Sequence, residues 1–277
     1  MCSSDLIAAL SHGAVRASTE PYAAPVHEAR RYPGQREVAA VLRDLLGTVH
    51  SDRIQDPYGY RALPQVHGPA MDAARQAGSA VAAELNAAAE NPLVDVAGGT
   101  VWHNGNFHTA YVGLALDALR AALFQTAALS AARLGTLVEP AFTGLGPFLA
   151  TDQPPSSGIL ILEYVSQSAI ADIRRLAGPA ALGSAVLSRG VEEHAGFSTQ
   201  SARATTEAVE AYRVVLACEL VAAVRAIRLS GRTPAQPALA TAFDLAADAL
   251  PPGTADRALD TDLAAAQRLL PALAELG

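Results

Sequence analysis

The stretch TAYVGLALDALRAALFQTAALSAARLGTLVE, residues 109–139, decides the predicted fold class. Placed on a helix, its apolar side chains go nearly all the way round: Val112, Leu114, Leu116, Leu119, Leu123, Leu129, Leu134 and Leu137. A helix that is apolar on every side is a buried helix. A single chain of this size cannot easily surround it, so we expect burial against other subunits in a symmetric oligomer.

Further helices are predicted outward from this stretch. Apolar spacing and flanking Pro or Gly residues delimit them at 35–47, 69–90, 157–178 and 200–229, with two short helices in 233–277. Residues 48–68 have no clean period and predict a structured loop or a broken helix, and Gly98-Gly99 predicts a tight turn. Alanine, the best helix former, is abundant, and only 5% of the residues are aromatic. The sequence therefore predicts an all-α fold with long buried helices.

The composition argues against several classes of protein. The 277-residue chain carries a formal net charge of −7, whereas a general nucleic-acid binder needs a basic face. Its two cysteines, Cys2 and Cys218, form neither a disulfide framework nor a paired thiolate metal site. No uninterrupted apolar stretch reaches the ~18 residues of a membrane span, and no secretion signal follows Met1. We expect a cytoplasmic protein without nucleic-acid or membrane partners.

Polar residues are concentrated in three loops rather than on the long helices. We name them the first polar loop (QDPYGYR, 55–61), the second polar loop (WHNGNFH, 102–108) and the third polar loop (VEEH, 191–194). Loops held at the ends of rigid helices are where binding and catalytic sites usually lie. The chain contains no Gly-x-Ser-x-Gly or Cys-His signature of a nucleophile and no phosphate-binding glycine loop.

In the first polar loop, Arg61 is the most informative residue. Its planar guanidinium fits a substrate carboxylate, and Tyr58 and Gln55 add neutral hydrogen-bonding groups beside it. Spacing alone leaves open, and favours, a plainer interpretation in which Arg61 is a surface residue paired with Asp56.

The second and third polar loops are less specific. His103 and His108 are five residues apart with no carboxylate nearby, so a metal site is not expected, and the loop's Asn and Gly residues predict turns. In the third polar loop, Glu192 or Glu193 could act as a general base or as a hydrogen-bond acceptor for a substrate. A solvated acidic turn ending at His194 explains the same residues equally well.

The chain resembles the C-terminal half of the histidine and aromatic amino acid ammonia-lyases and aminomutases. The resemblance predicts that residues 7–232 are the C-terminal helical region of that all-α fold, part of a central bundle, with 233–277 in the same domain and 1–6 unmatched. Six stretches carry it in the family's order: YPGQREVAAVLRDLL (32–46), RIQDPYGYRALPQVHG (53–68), ELNAAAENPLV (84–94), GNFH (105–108), EPAFTGLGPFL (139–149) and VEEH (191–194).

The resemblance also implies roles for individual residues. The family's Gln-Asp-x-Tyr-x-x-Arg motif stands here as Gln55, Asp56, Tyr58 and Arg61, which implies that Arg61 grips the substrate carboxylate while Gln55 supports the substrate site. Tyr58 is implied as a catalytic residue.

Two residues outside that motif complete the implied site. Phe107 is implied as a wall of the substrate site, beside the prosthetic group. Glu192 is implied as catalytic, because it stands where histidine-specific members carry a substrate-contacting glutamate. The usual Asn-Gln before that glutamate is Gly190-Val191 here, so strict histidine specificity is not implied.

The family's electrophile, 4-methylidene-imidazol-5-one (MIO), forms from an internal Ala-Ser-Gly, and this sequence contains no such tripeptide. Family members are about twice as long, and their site is assembled from three chains of a homotetramer. We therefore expect a fragment of such an enzyme that is inactive alone.

The implied reaction is the non-oxidative elimination of ammonia from histidine or a related aromatic L-amino acid, giving a trans-α,β-unsaturated acid. Two alternatives stay open. One is a non-catalytic helical scaffold or assembly partner, and the other is an aromatic amino acid aminomutase.

Overall fold

The computed structural model describes residues 3–151 and 156–276, so the expectation for Cys2 lies outside the described residues. The fold is all-α, as predicted, with one small antiparallel hairpin formed by β1 (Leu93–Asp95) and β2 (Thr100–Trp102). The turn predicted at Gly98-Gly99 joins these two strands. The helices are α1 (Ser3–Val15), α2 (Ala24–Glu28), α3 (Pro33–Leu46), α4 (Tyr58–Arg61), α5 (Leu63–Leu85), α6 (Ala110–Leu137), α7 (Pro140–Thr143), α8 (Ile161–Leu176), α9 (Ser198–Ser230), α10 (Pro237–Ala249) and α11 (Asp260–Ala274).

Helix α9 is the centre of the molecule. It packs against α6, α8, α1 and α11, and every residue from Val215 to Ile227 is buried. Helix α6 packs on α9 and is covered by α5 and α8. This bundle fixes the positions of the loops at its two ends.

Helix α6 is only partly buried within the chain. Leu134 and Leu137 lie in the main core, and small and polar residues make up most of the other buried positions, whereas Leu114 is 61% exposed and Tyr111 is 81% exposed. Within one chain the packed neighbours cover only part of α6, in keeping with the expectation that a single chain cannot surround this helix. Coverage of the leucines by another subunit remains a prediction.

By length and composition α6 could also cross a membrane, although only 33% of its most apolar window is buried within the chain. One helix of this kind is weak support for a membrane span, because core helices of soluble proteins pass the same test. Three charged side chains of α6, those of Asp117, Arg120 and Arg133, are buried inside the molecule.

The predicted boundaries hold for α3 but not for α5. Helix α3 matches its prediction closely and stops before Gly47, whose φ of +64° suits glycine. Helix α5 begins at Leu63 rather than Pro69 and ends at Leu85 rather than at residue 90. Its added first turn buries Leu63 and His67, and this burial outweighs the backbone hydrogen bond that Pro69 cannot donate inside the helix.

Helix α1 was not predicted. Eleven of its thirteen residues are buried, so the helix has no polar face from which a period could be recognised. It packs against α9, α3 and α6 and contributes Leu6, Ile7 and Leu10 to the main core.

Candidate functional site

The first polar loop is fastened to the C-terminal half of α6. The Gly59 carbonyl accepts a hydrogen bond from Arg133 Nη1 at 3.5 Å, and the Tyr60 hydroxyl lies 2.8 Å from Thr136 Oγ1. The Tyr22 hydroxyl donates to the Tyr60 carbonyl at 2.8 Å. Burial raises the pKa of the Tyr60 hydroxyl, so this group stays protonated and serves as an anchor.

Asp56 does not pair with Arg61. Its carboxylate is buried and accepts hydrogen bonds from Arg53 Nε at 2.7 Å, from the Ser18 backbone N–H at 2.6 Å and from Ser51 Oγ at 3.1 Å. The interpretation of Arg61 as the surface partner of Asp56 is therefore wrong, because Arg53 already occupies that carboxylate.

The Arg61 guanidinium forms no hydrogen bond with any described residue. Its Nε is buried without a partner, and its Cζ lies 5.5 Å from the centroid of the exposed Tyr58 ring. Leaving a buried donor unsatisfied costs about 1–3 kcal/mol, and more for a charged group. Such an arginine is able to bind an anionic group.

A cavity of about 600 Å³ opens beside this guanidinium. Arg61, Tyr58 and Gln55 line it together. The wall also includes Gln65, two further arginines, Arg30 and Arg53, and the carboxylates of Glu20 and Asp56. Arg53 pairs with Asp56, so the cavity keeps an excess of positive charge, which favours an anionic ligand.

The second and third polar loops meet each other at the other end of the molecule. His108 Nε2 lies 2.9 Å from His194 Nδ1, so one ring nitrogen donates and the other accepts. Asn104 organises the second loop as the turn residues predicted, because its backbone N–H donates to Asn91 Oδ1 and its own Oδ1 accepts from the Asn106 N–H.

Phe107 and Glu192 lie in these two loops with their side chains in solvent. Phe107 is 51% exposed, and the exposed Glu192 pairs through its backbone with Leu187. The Glu192 carboxylate forms no hydrogen bond with a described residue, which is compatible with a substrate contact and with a solvated turn alike.

The predicted site residues fall into two groups within one chain. The first polar loop contacts Arg133, whereas the second polar loop directly precedes Ala110, and these two residues of α6 are roughly 35 Å apart along the helix. Gln55, Tyr58 and Arg61 thus lie at one end and Phe107 and Glu192 at the other. A site that used all five residues would need more than one chain.

Sequence reasoning missed the buried polar groups behind the first polar loop. His12 packs against the rings of Tyr22 and Tyr60, and burial lowers its pKa to about 4. Arg133 and Glu219 form a fully buried ion pair with Nε and Oε1 2.6 Å apart. The signal was a single charged or polar residue inside an otherwise apolar helix, as in VVLACELVAAV at 214–224.

Among residues 3–151 and 156–276, no group of three or more His, Cys, Asp or Glu is placed to hold a metal ion. The cavity beside Arg61 therefore has to be understood through its arginine, its hydroxyl and its carboxamides.

Comparison with known proteins points to a single family. Residues 1–248 match a family model described as aromatic amino acid lyase. The histidine ammonia-lyase of Anaeromyxobacter dehalogenans (strain 2CP-C) is 37% identical, with 96% of this chain and 54% of that protein covered. That of Stigmatella aurantiaca is 34% identical with the same coverage. The chain spans about half the length of the curated relatives it matches.

Solved structures give the same result. Histidine ammonia-lyase from Trypanosoma cruzi superposes with a TM-score of 0.91 at 30% identity, covering 98% of this chain and 52% of that one. Tyrosine aminomutase from Streptomyces globisporus superposes with a TM-score of 0.92 at 27% identity, covering 99% of this chain and 57% of that one.

Proposed function

Because the chain belongs to the aromatic amino acid lyase family, we propose that it supplies the carboxylate-binding part of an ammonia-lyase active site. The substrate is histidine or a related aromatic L-amino acid. The reaction is the elimination of ammonia to give a trans-α,β-unsaturated acid. The whole protein acts in the cytoplasm on this small molecule.

One observation carries this proposal: the guanidinium of Arg61 lines the cavity and forms no hydrogen bond with a described residue. A planar guanidinium binds a carboxylate through two parallel hydrogen bonds. Arg61 would hold the substrate carboxylate throughout the reaction, which fixes where the β-carbon and the amine lie. Tyr58 and Gln55 would present a hydroxyl and a carboxamide to the same cavity.

Assembly into a homotetramer would complete the site. Phe107 and Glu192 lie at the opposite end of α6 from Arg61, so another subunit would bring its second and third polar loops to this cavity. The exposed Tyr111 and Leu114 and the half-buried leucines of α6 supply apolar surface for that assembly. Glu192 would then contact the substrate and Phe107 would form a wall beside it.

The family's prosthetic group, MIO, supplies the electrophile that activates the amine for departure. It forms from Ala-Ser-Gly, and none of the residues lining the cavity can replace that tripeptide, which the sequence lacks. The residues present therefore do not supply the group. We expect the 277-residue chain to bind its substrate but not to turn it over.

Two other functions make different predictions for the same cavity. An aminomutase, favoured by the likeness to tyrosine aminomutase, would hold the carboxylate in the same way but would form a β-amino acid in the assembled enzyme. A non-catalytic scaffold, favoured by the missing tripeptide, would have no need for an unpaired arginine in a cavity and would bind no amino acid.

The test is equilibrium binding of L-histidine to the purified chain, with histamine as the matched ligand that lacks the carboxylate. We expect L-histidine to bind and histamine not to bind. Equal binding of both, or binding of neither, would contradict the proposal. In parallel, histidine and phenylalanine should produce no urocanate or cinnamate absorbance, and the appearance of either product would overturn the expected inactivity.

A further inference from the structure

Gln65 lies four residues after Arg61, and each of the two side chains has a buried polar atom without a hydrogen-bond partner. The two residues belong to consecutive helical segments joined at Ala62, and both line the same cavity. Arg61 Nε is a buried donor without an acceptor, and Gln65 Oε1 is a buried acceptor without a donor. Residues four apart on a helix have side chains that can touch.

The two carboxylates of the cavity wall are not suited to Arg61 Nε. The buried Asp56 carboxylate already receives Arg53, Ser51 and a backbone N–H. Glu20 is exposed to solvent. Burying an unsatisfied donor and an unsatisfied acceptor in the same cavity wall costs free energy twice, and one hydrogen bond between them would remove both costs.

We propose that Gln65 is a positioning residue for Arg61, and that its carboxamide oxygen accepts the Nε–H of Arg61 when a carboxylate occupies the cavity. This inference rests on the proposed function, because the carboxylate is that of the amino acid substrate. With Nε held by Gln65, only Nη1 and Nη2 are free to bind the ligand. The carboxylate then approaches the guanidinium end-on, in one orientation.

In this arrangement the charge of Arg61 attracts the carboxylate, and the hydrogen bond to Gln65 sets the orientation in which the carboxylate binds. An arginine can bind a carboxylate through Nε and one terminal nitrogen or through both terminal nitrogens. When Gln65 occupies Nε, the carboxylate can bind only through both terminal nitrogens. The Tyr58 ring, whose centroid lies 5.5 Å from Arg61 Cζ, also restricts the guanidinium. We expect the hydrogen bond to tighten carboxylate binding about tenfold, the effect of one hydrogen bond to a charged group.

The test follows the Nε–H of Arg61 directly in the intact chain labelled with ¹⁵N. Arg61→Lys identifies the signal by removing it. Addition of L-histidine should shift this signal and slow its exchange with water, whereas histamine should do neither. Gln65→Leu should abolish the slowed exchange and weaken L-histidine binding about tenfold. Gln76→Leu, the same change at an exposed position of α5, should leave both unchanged.

A second variant keeps the proposal testable if Gln65→Leu does not fold. Gln65→Glu retains the acceptor and adds a negative charge, so exchange of the Nε–H should be slow even without ligand, while L-histidine binds more weakly. Wild-type binding and an unchanged Nε–H signal in either Gln65 variant would overturn the role of Gln65. If the wild-type chain itself does not bind L-histidine, the proposed function fails and this inference fails with it.

Discussion

Arg133 contacts the first polar loop and Arg61 belongs to it, and the surroundings of these two arginines are opposite. Arg133 is 0% exposed, and its Nε and Nη2 donate to the two carboxylate oxygens of Glu219 at 2.6 and 2.8 Å. Ser130 and Ser11 donate to the same carboxylate. Arg61, in the loop itself, forms no hydrogen bond with a described residue.

The difference distinguishes a structural charge from one available to a ligand. The hydrogen bonds around Arg133 and Glu219 offset the cost of removing both charges from water, so this pair fixes α6 against α9 and supports Gly59 from behind. At the half-buried Arg61, the buried Nε–H has no such partner. We therefore assign the first arginine to the fold and the second to the ligand.

The largest effect is expected where the paired charge loses its partner. Glu219→Leu leaves the Arg133 guanidinium buried and alone, which should lower the free energy of unfolding by about 3–5 kcal/mol. Urea denaturation measures this loss. Glu210→Leu is the matched control, since Glu210 is 67% exposed and 3.7 Å from Arg213, and it should change stability by less than about 0.5 kcal/mol. Equal losses in both variants would contradict a structural role for the buried pair.

The next largest effect concerns His12, which is buried behind the first polar loop. Its pKa is about 4 in the folded protein, because burial disfavours the charged ring, and near 6.5 in the unfolded chain. The unfolded chain therefore takes up a proton first as the pH falls. The free energy of unfolding should have its full value above pH 6.5. It should decrease as the pH falls toward 4, by about 3 kcal/mol in all.

Urea denaturation at several pH values between 4 and 7 checks this behaviour. His12→Gln, which can still donate to the Ser18 carbonyl, should remove most of the pH dependence. His50→Gln changes an exposed histidine and should leave the dependence intact. A wild-type profile that is flat over this range would show that His12 does not resist protonation in the folded state.

A smaller effect is expected from the anchor between the first polar loop and α6. Tyr60→Phe removes the hydroxyl that lies 2.8 Å from Thr136 Oγ1 and keeps the buried ring. The loss should be about 1 kcal/mol, the usual value of one hydrogen bond. Thermal unfolding detects it, with Tyr32→Phe as the exposed control. A loss as large as that of Glu219→Leu would mean that the loop, rather than the ion pair, organises this end of the bundle.

The smallest effect on stability is expected at Arg61, which sharpens the contrast with Arg133. Arg61→Leu removes a buried donor that has no partner, so the free energy of unfolding should stay within about 0.5 kcal/mol of the wild-type value or rise. Arg133→Leu should behave like Glu219→Leu in the same denaturation experiment. A marked loss of stability in Arg61→Leu would place Arg61 with the structural charges.

Much of the fold could be predicted because its helices carry local signals. Helix α3 has a clear apolar face, and Gly47 marks its end. Helix α1 could not be predicted in this way, because nearly all of it is buried and it has no polar side. The first turn of α5 was missed because Pro64 and Pro69 suggest interruption, whereas burial of Leu63 keeps the chain helical.

The candidate site was partly predictable for a similar reason. The sequence identified Gln55, Tyr58 and Arg61 as neighbours because they occupy one loop, and all three line one cavity. The plainer interpretation paired Asp56 with Arg61, whereas the structure pairs it with Arg53, which is as close in sequence and was not considered. The distance from Arg61 to Phe107 and Glu192 depends on the length of α6 and on which end of α6 each polar loop contacts. Local sequence patterns do not contain this information.

The most direct test of the central claim measures L-histidine binding to the wild-type chain, to Arg61→Leu and to Arg30→Leu. Arg30 lines the same cavity, so its removal changes the local charge equally but leaves the unpaired guanidinium in place. We expect Arg61→Leu to weaken binding by about 2 kcal/mol, roughly thirtyfold, and Arg30→Leu to change it only slightly. Equal, small losses in both variants would contradict the assignment of Arg61 to the ligand.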